Sequence, residues 1–484
     1  MSNIQCQGVE KPTKPFSLIF SIELWERFGY YGMQALLVIY LIKELHFTDI
    51  MANGLFGAFS ALTYAFISIG GFIGDKVLGS KRTMFIGAIF LAIGYGLLGF
   101  DASEHLYLGL ATIITGNMLF KANPSSLVSK LYKPGDHRID SAFTIYYMSI
   151  NIGSFISMLL CPVAKNYWGW NAGFMICCIG LIVAIVNYMF FHRLLAEIGS
   201  DPDFDPIDFN KFAGVIVFSV ALTFACAWLL KHLTITNWLL GVAIVVVAIL
   251  CGKTFFTLET KQDKLKFLVC VILILEAIVF FVLYQQMPTS LNLFTIRNTN
   301  HVLFGLTIPG ESFQSLNPLW ILLASPALAL MYTKLGKQGK DFSLPGKFAF
   351  GMLLCSFGFL TLPFAAKYFS SNGIISGNWL FISYGLQSLG ELLVSGLGLA
   401  MVTKLVPQRV MGFMMGAWFM SSAVAMALGG FVASLASIPQ QDYTNPISSL
   451  PVYAELFLRL GTAAFIISII MFIFVPKLKK YIVD

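Results

Sequence analysis

Charge is what this chain has least of. Only 11% of its 484 residues are Asp, Glu, Lys or Arg, less than half the roughly 25% of a soluble domain. Too little polar surface remains to cover a water-soluble fold of this length. Histidine is scarcer still, with six residues scattered in or near polar stretches and none at metal-ligand spacing. The eight cysteines lie mostly inside apolar runs, with neither a loop framework nor paired ligand spacing, so a disulfide scaffold and a zinc site are both excluded. With no metal cluster and no nucleophile beside a base, the chain is not expected to be an enzyme. The first fifteen residues lack the short apolar core and small-residue cleavage site of a secretory signal.

What is there is apolar: 57% of the residues are hydrophobic, arranged in repeated runs of about 20, the length that crosses a bilayer core. Lipid offers the backbone no hydrogen-bond partners, so these runs must be helices and the protein an all-α membrane protein. The pattern predicts fourteen transmembrane helices, at 16–42, 54–73, 83–100, 106–131, 142–167, 174–195, 212–230, 238–258, 266–292, 316–332, 348–366, 379–406, 411–435 and 453–475. Between the sixth and seventh runs lies the acidic, proline-bearing GSDPDFDPIDFNK (199–211), followed by two runs nearly free of polar residues. The expected organisation is therefore a six-helix bundle over 1–198, a linker and peripheral two-helix hairpin over 199–262, and a second six-helix bundle over 263–484, facing one another across a cavity. The net charge of +7 does not call for nucleic acid. The basic residues gather in alternate short loops, Lys76, Lys81, Arg82, Lys130, Lys264 and Lys480 among them, which places both termini in the cytoplasm by the positive-inside rule.

Against this background the stretch ELWERFGYYG (23–32) stands out, because it sets two carboxylates and a guanidinium inside the first apolar run. Each buried charge costs about 2.5–3.5 kcal/mol on insertion scales. Glu23, Glu26 and Arg27 fall at i, i+3 and i+4, and Tyr30 extends the same face. Such a strip must line a protein interior or a wet cavity. Lys121, Glu276 and Glu391 are the further charges at membrane depth. Cations and carboxylates in one cavity can hold the two ends of a zwitterion, and a carboxylate that loses its partner to substrate becomes proton-sensitive. Buried ion pairs also fix helix packing, and Glu276, near the end of its run, fits local hydrogen bonding. The residues alone leave open a proton-linked carrier of another solute, such as nitrate, an amino acid or a peptide-like drug. A channel would repeat its charges as rings.

Glu23, Glu26, Arg27, Phe28, Tyr30 and Tyr31 match the ExxERFxYY motif of the proton-dependent oligopeptide transporters, a branch of the major facilitator superfamily. GGFIGDKVLGSKR (70–82) resembles the superfamily's loop between helices two and three, and FTIYYMSINIGS (143–154) resembles the transporters' signature in helix five. YQQMPTSLN, SLNPLW and SYGLQSLGELLVSGLGLAMV are similar to bacterial dipeptide and tripeptide permeases, so the resemblance spans the whole chain. It implies the major facilitator fold and symport of dipeptides and tripeptides with protons across a bacterial inner membrane, by a monomer without a cofactor. By the same resemblance Arg27 and Lys121 attract the peptide carboxylate, Asn151, Asn317 and Glu391 hold its amino group, and Tyr30, Tyr64 and Tyr147 line the pocket. Glu23, Glu26, Arg27, Lys121 and Glu391 then carry proton coupling, while Asp75, Lys81 and Arg82 tie helix ends together. Two departures are visible. Where many relatives pair an arginine and a glutamate on the outer side, this chain has Gln34 and Gln285, so closure there is expected through neutral hydrogen bonds or packing. Met118 replaces a common glycine near Lys121.

Overall fold

Backbone groups at membrane depth must bond within their own segment, and the described chain is helical almost throughout. The computed structural model describes residues 13–132, 136, 138–338, 343–394 and 398–482. The amino-terminal signal reading falls largely on residues 1–12, and part of the late SYGLQSLGELLVSGLGLAMV motif on 395–397, both outside that set.

The first half of the chain holds α1 (Lys14–Lys43), α2 (Asp49–Ala65), α3 (Ile67–Phe72), α4 (Ser80–Phe120), α5 (Asn123–Lys130), α6 (Arg138–Trp168) and α7 (Trp170–Phe191). Then come α8 (Phe209–Lys231) and α9 (Leu233–Thr257). The second half holds α10 (Lys261–Tyr284), α11 (Ser290–Asn298), α12 (Leu316–Lys337), α13 (Leu344–Tyr368), α14 (Asn378–Val394), α15 (Gly398–Leu405), α16 (Gln408–Ser434) and α17 (Pro446–Ile482). A two-residue antiparallel ribbon, Val302–Leu303 with Leu306–Thr307, follows α11.

The breaks have local causes. Gly79 and Gly169 take positive φ, 98° and 86°, in front of α4 and α7, a conformation that favours glycine. Asp101 leaves the helical region inside α4, and its Oδ1 accepts hydrogen bonds from the Ser103 and Glu104 amides at 3.0 and 3.2 Å. It thus caps a second helix that begins inside the same continuous stretch. The expected runs 83–100 and 106–131 meet at this break. Elsewhere an expected boundary shifts: the run 266–292 stops at Tyr284 and resumes as α11. By length and composition, eleven stretches among the described residues suffice to cross a membrane. Helix α1 is not among them, because its polar strip lowers its hydropathy.

Helices α1, α4, α6 and α7 pack on one another in the first half, and α10, α13, α14, α16 and α17 in the second. The halves meet chiefly through α2 with α16 and α6 with α12. The first of these contacts needs glycine: a Cβ on Gly430 would sit 2.6 Å from the Asn53 carbonyl oxygen and 2.9 Å from the Gly57 Cα. Small residues of this kind let membrane helices touch backbone to backbone. Helix α8 leans on α4, where Thr223 Oγ1 meets Thr115 Oγ1 at 2.9 Å. Helix α9 touches α2, α10 and α16, yet only 6% of its span is buried against 50% for α10, which makes it peripheral.

Replacing Gly430 by leucine is expected to destabilise the purified protein by roughly 1–3 kcal/mol, the cost of overpacking. Gly412→Leu on the same helix, where an added Cβ meets nothing within 4 Å, should leave the thermal midpoint unchanged.

Candidate functional site

The polar strip of α1 is almost wholly withdrawn from solvent: Glu23, Glu26 and Arg27 are 2%, 0% and 3% exposed. The helical spacing aims both carboxylates at one guanidinium nitrogen. Arg27 Nε donates to Glu23 Oε1 at 3.0 Å and lies 2.5 Å from Glu26 Oε2. Glu23 Oε2, Glu26 Oε1 and Arg27 Nη2 have no hydrogen-bond partner among the described residues. Two carboxylates therefore share one cation, with hydrogen-bonding capacity left over on both sides.

This strip borders a cavity of about 320 Å³ between the two halves. Glu23 and Arg27 reach its wall from α1, Lys121 from the end of α4, Tyr147 and Asn151 from α6, and Asn317 and Glu391 from α12 and α14. Glu391 Oε2 accepts from Asn317 Nδ2 at 2.8 Å, and its Oε1 from the Tyr147 hydroxyl at 3.3 Å. The second bond crosses from one half to the other. Among the described residues Lys121 pairs with no carboxylate; its Nζ stands 3.7 Å above the centre of the Tyr64 ring. Asn151 spends one amide hydrogen on the Tyr147 carbonyl of its own helix, 2.9 Å away.

The sequence-based candidates divide on inspection. Arg27, Tyr64, Lys121, Tyr147, Asn151, Asn317 and Glu391 all line the cavity. Tyr30 is set back from that wall, stacked on Phe59 at 6.5 Å, and its neighbour Tyr31 faces the cavity instead. Glu26 is likewise behind the surface. Lys121 and Glu391 are not joined in this conformation. Glu276 is buried within α10 away from the cavity, and among the described residues neither of its oxygens has a hydrogen-bond partner, so the local hydrogen bonding expected of it is not formed. Met118 is fully buried, with its carbonyl so close to Gly70 that no Cβ would fit there.

Asp75, Lys81 and Arg82 belong to a different cluster, at the start of α4. There they hold the segment after α7. Asp203 accepts from the Lys81 amide at 3.1 Å, Arg82 donates to the Pro202 and Asp205 carbonyls at 2.8 and 2.7 Å, and Asp75 takes bonds from Ser200 Oγ and Lys130 Nζ at 3.0 and 3.1 Å. The acidic linker is thus docked at its first residues.

At the opposite end the two halves are tied by contacts that sequence reasoning missed. Arg297 of α11 makes a bidentate pair with Asp49 at the start of α2, 2.7 and 2.8 Å, and also donates to the Tyr453 hydroxyl at 2.6 Å. Tyr443 covers the guanidinium, 4.2 Å from ring centre to Cζ. Burial and the neighbouring Asp49 carboxylate push the Tyr443 phenol above its ordinary pKa, so it stays a neutral hydroxyl. Lys165 of α6 pairs with Glu311 at 2.7 Å. Gln285 donates to Ser60 Oγ across the halves at 3.2 Å, a neutral bond that accompanies the Asp49–Arg297 and Lys165–Glu311 ion pairs, where the sequence led to neutral bonds or packing as the expectation. Its presumed counterpart Gln34 is buried and does not bond to it.

Comparison with known proteins agrees with this geometry. The sequence profile of the POT family matches residues 81–449. The chain is 48% identical over 476 residues to dipeptide and tripeptide permease A of Citrobacter koseri, covering 98% of this chain and 94% of that protein, and equally so to its counterpart in Escherichia coli strain K12. Among solved structures, tetrameric PepTSo2 superposes with a TM-score of 0.86 at 40% identity, covering 96% of this chain and 98% of the other. A peptide transporter POT in complex with sulfate gives 0.83 at 28% identity, covering 99% and 97%.

Asp49→Ala should cost roughly 3–5 kcal/mol, because it strands a buried guanidinium. Adding Arg297→Ala is expected to recover part of that loss in a double-mutant stability cycle, whereas Arg297→Lys cannot rebuild the two-pronged bond. Additive single effects would show that the pair is not coupled.

Proposed function

Because the chain belongs to the POT family, we propose that it imports dipeptides and tripeptides by proton-coupled symport, alternating access to the cavity just described. The observation that carries this reading is the division of charge across one cavity: Arg27 and Lys121 on one side, Glu391 with Asn317 on the other. A peptide carboxylate would go to the cations and its ammonium to Glu391, Asn317 and Asn151. Recognition of the two termini leaves the walls between them tolerant of side chains.

Proton coupling follows from charge count. When the peptide carboxylate engages Arg27, Glu23 and Glu26 lose compensation, and uptake of a proton restores balance in a low-dielectric site. The Asp49–Arg297 and Lys165–Glu311 pairs close the outer end in this conformation, and Lys121 with Glu391 would close the inner end in the alternate one. The moving bodies are bundles 1–198 and 263–484, with 199–262 forming the linker and peripheral hairpin, in a bacterial inner membrane with both termini cytoplasmic. The whole cavity comes from one chain, so a monomer suffices for transport even where relatives assemble as tetramers. Protons are the coupling ion, and no cofactor enters.

The test is uptake of labelled dialanine by the reconstituted protein under an inward proton gradient. Accumulation that trialanine inhibits and free alanine does not is the expected result; a folded preparation that takes up no peptide would assign the cavity to another solute. Glu26→Gln should abolish gradient-driven accumulation and retain counterflow, whereas Lys121→Ala should weaken peptide binding about 30-fold, the scale of about 2 kcal/mol for a lost charge partner. Full accumulation by Glu26→Gln would remove that residue from coupling.

A further inference from the structure

Outside the transport cavity, α9, α10 and α16 enclose a second cleft, of about 410 Å³, within the range of about 300–1,000 Å³ typical of ligand sites. Ile244, Val247 and Ala248 of α9, Val271 and Leu275 of α10 and Met420 of α16 form its walls, and no charged side chain lines it. At the end nearest the α9–α10 turn the mouth is flanked by Phe255 and Phe267, with ring centres 6.4 Å apart.

Beyond that mouth the charge changes abruptly. Lys261 and Lys264 lie in the first turn of α10. Lys264 is three residues before Phe267, and Lys261 seven before Leu268, so helical register places both on the stripe of α10 that lines the cleft. Among the described residues neither ammonium has an ion-pair partner. Arg409 at the start of α16 donates to the Thr257 carbonyl at 2.8 Å and pairs with Glu259 at 3.5 Å, which draws α16 to the same turn. Lys253, Lys261, Lys264, Lys266 and Arg409 outnumber Glu259 and Asp263 there.

An apolar cleft that opens onto cations at one end matches an amphiphile with an anionic head. We propose that it binds one anionic phospholipid, with an acyl chain between α9, α10 and α16 and the phosphate on Lys261 and Lys264. Basic clusters at the ends of membrane helices hold anionic headgroups in this way, and aromatic rings sit at headgroup depth. A second copy of the chain would meet the apolar wall and leave the lysines unmatched. A lipid here touches the peripheral hairpin and two helices of the second half at once, so it holds α9 in place where protein contacts are few.

Native mass spectrometry of the full chain, offered phosphatidylglycerol and phosphatidylcholine of identical acyl chains, tests this directly. Preferential retention of phosphatidylglycerol is expected. Lys261→Ala with Lys264→Ala should reduce it about 30-fold, about fivefold for each lysine, without changing phosphatidylcholine. Gly252→Trp, at a cleft position where an added Cβ meets nothing within 4 Å, should block phosphatidylglycerol by filling the space. Equal retention of both lipids, or unchanged retention in the lysine and tryptophan variants, overturns the proposal. Dissociation of an oligomer by Gly252→Trp overturns it too, and gives the cleft to a second copy.

Discussion

One guanidinium shared by two carboxylates in the membrane interior is the constraint on which the transport half of this structure turns. Charges this deep are tolerated only where protein compensates them, and Arg27 alone cannot compensate both Glu23 and Glu26. Whatever second source of compensation arrives, a proton or a rearranged partner, must change when an anionic group competes for Arg27. The strip is therefore poised between charge states by its own stoichiometry. Its burial makes that balance matter, since the same three residues at a surface would be screened and nearly indifferent to one another.

The rest of the architecture distributes ties between the halves by depth. At one end Arg297 is held by Asp49, Tyr453 and Tyr443 together, so the closure is a packed, desolvated cluster and not a single surface pair. Nearer the cavity the crossing bonds are single, Gln285 to the Ser60 hydroxyl and the Tyr147 hydroxyl to the Glu391 carboxyl. A strong cluster far from the cavity and weak bonds beside it suit a hinge: a ligand at mid-depth replaces a few weak bonds, while the end cluster sets how far the equilibrium must be pushed. The backbone contact at Gly57 and Gly430 gives α2 and α16 a close line on which to pivot.

The sequence made some of this legible and hid the rest for physical reasons. The α4 break was readable because Asp101 and Ser103 form a cap within a few residues, and local chemistry leaves a local mark. The i, i+3, i+4 strip was readable for the same reason. Tyr30 and Tyr31 were not separable, because adjacent helical residues differ by about 100° in direction and the rotation of α1 is set by its neighbours. Asp49 with Arg297 was invisible: the partners are 248 residues apart, and each alone looks like an ordinary charge at a helix end. Asp75, Lys81 and Arg82 were read as structural ties, but their partners in the linker, Ser200 and Asp203, were not foreseen. The linker's acidity was read only as the mark of a connection between bundles, and part of it is spent on the amide of Lys81.

That docking changes what the linker is. A free chain of this length would let the hairpin drift, whereas bonds from Arg82 to the Pro202 and Asp205 carbonyls fix the entry to α8 against the first half. Helix α9 then reaches across to α10 and α16 in the second. The hairpin is consequently anchored by hydrogen bonds against the first half, and against the second by thin apolar contact that is pinned at the α9–α10 turn by the bond from Arg409 to the Thr257 carbonyl. If the halves rock, the apolar stretch away from that turn is the part that can slide, while the Arg409 bond keeps the α9–α10 turn beside α16.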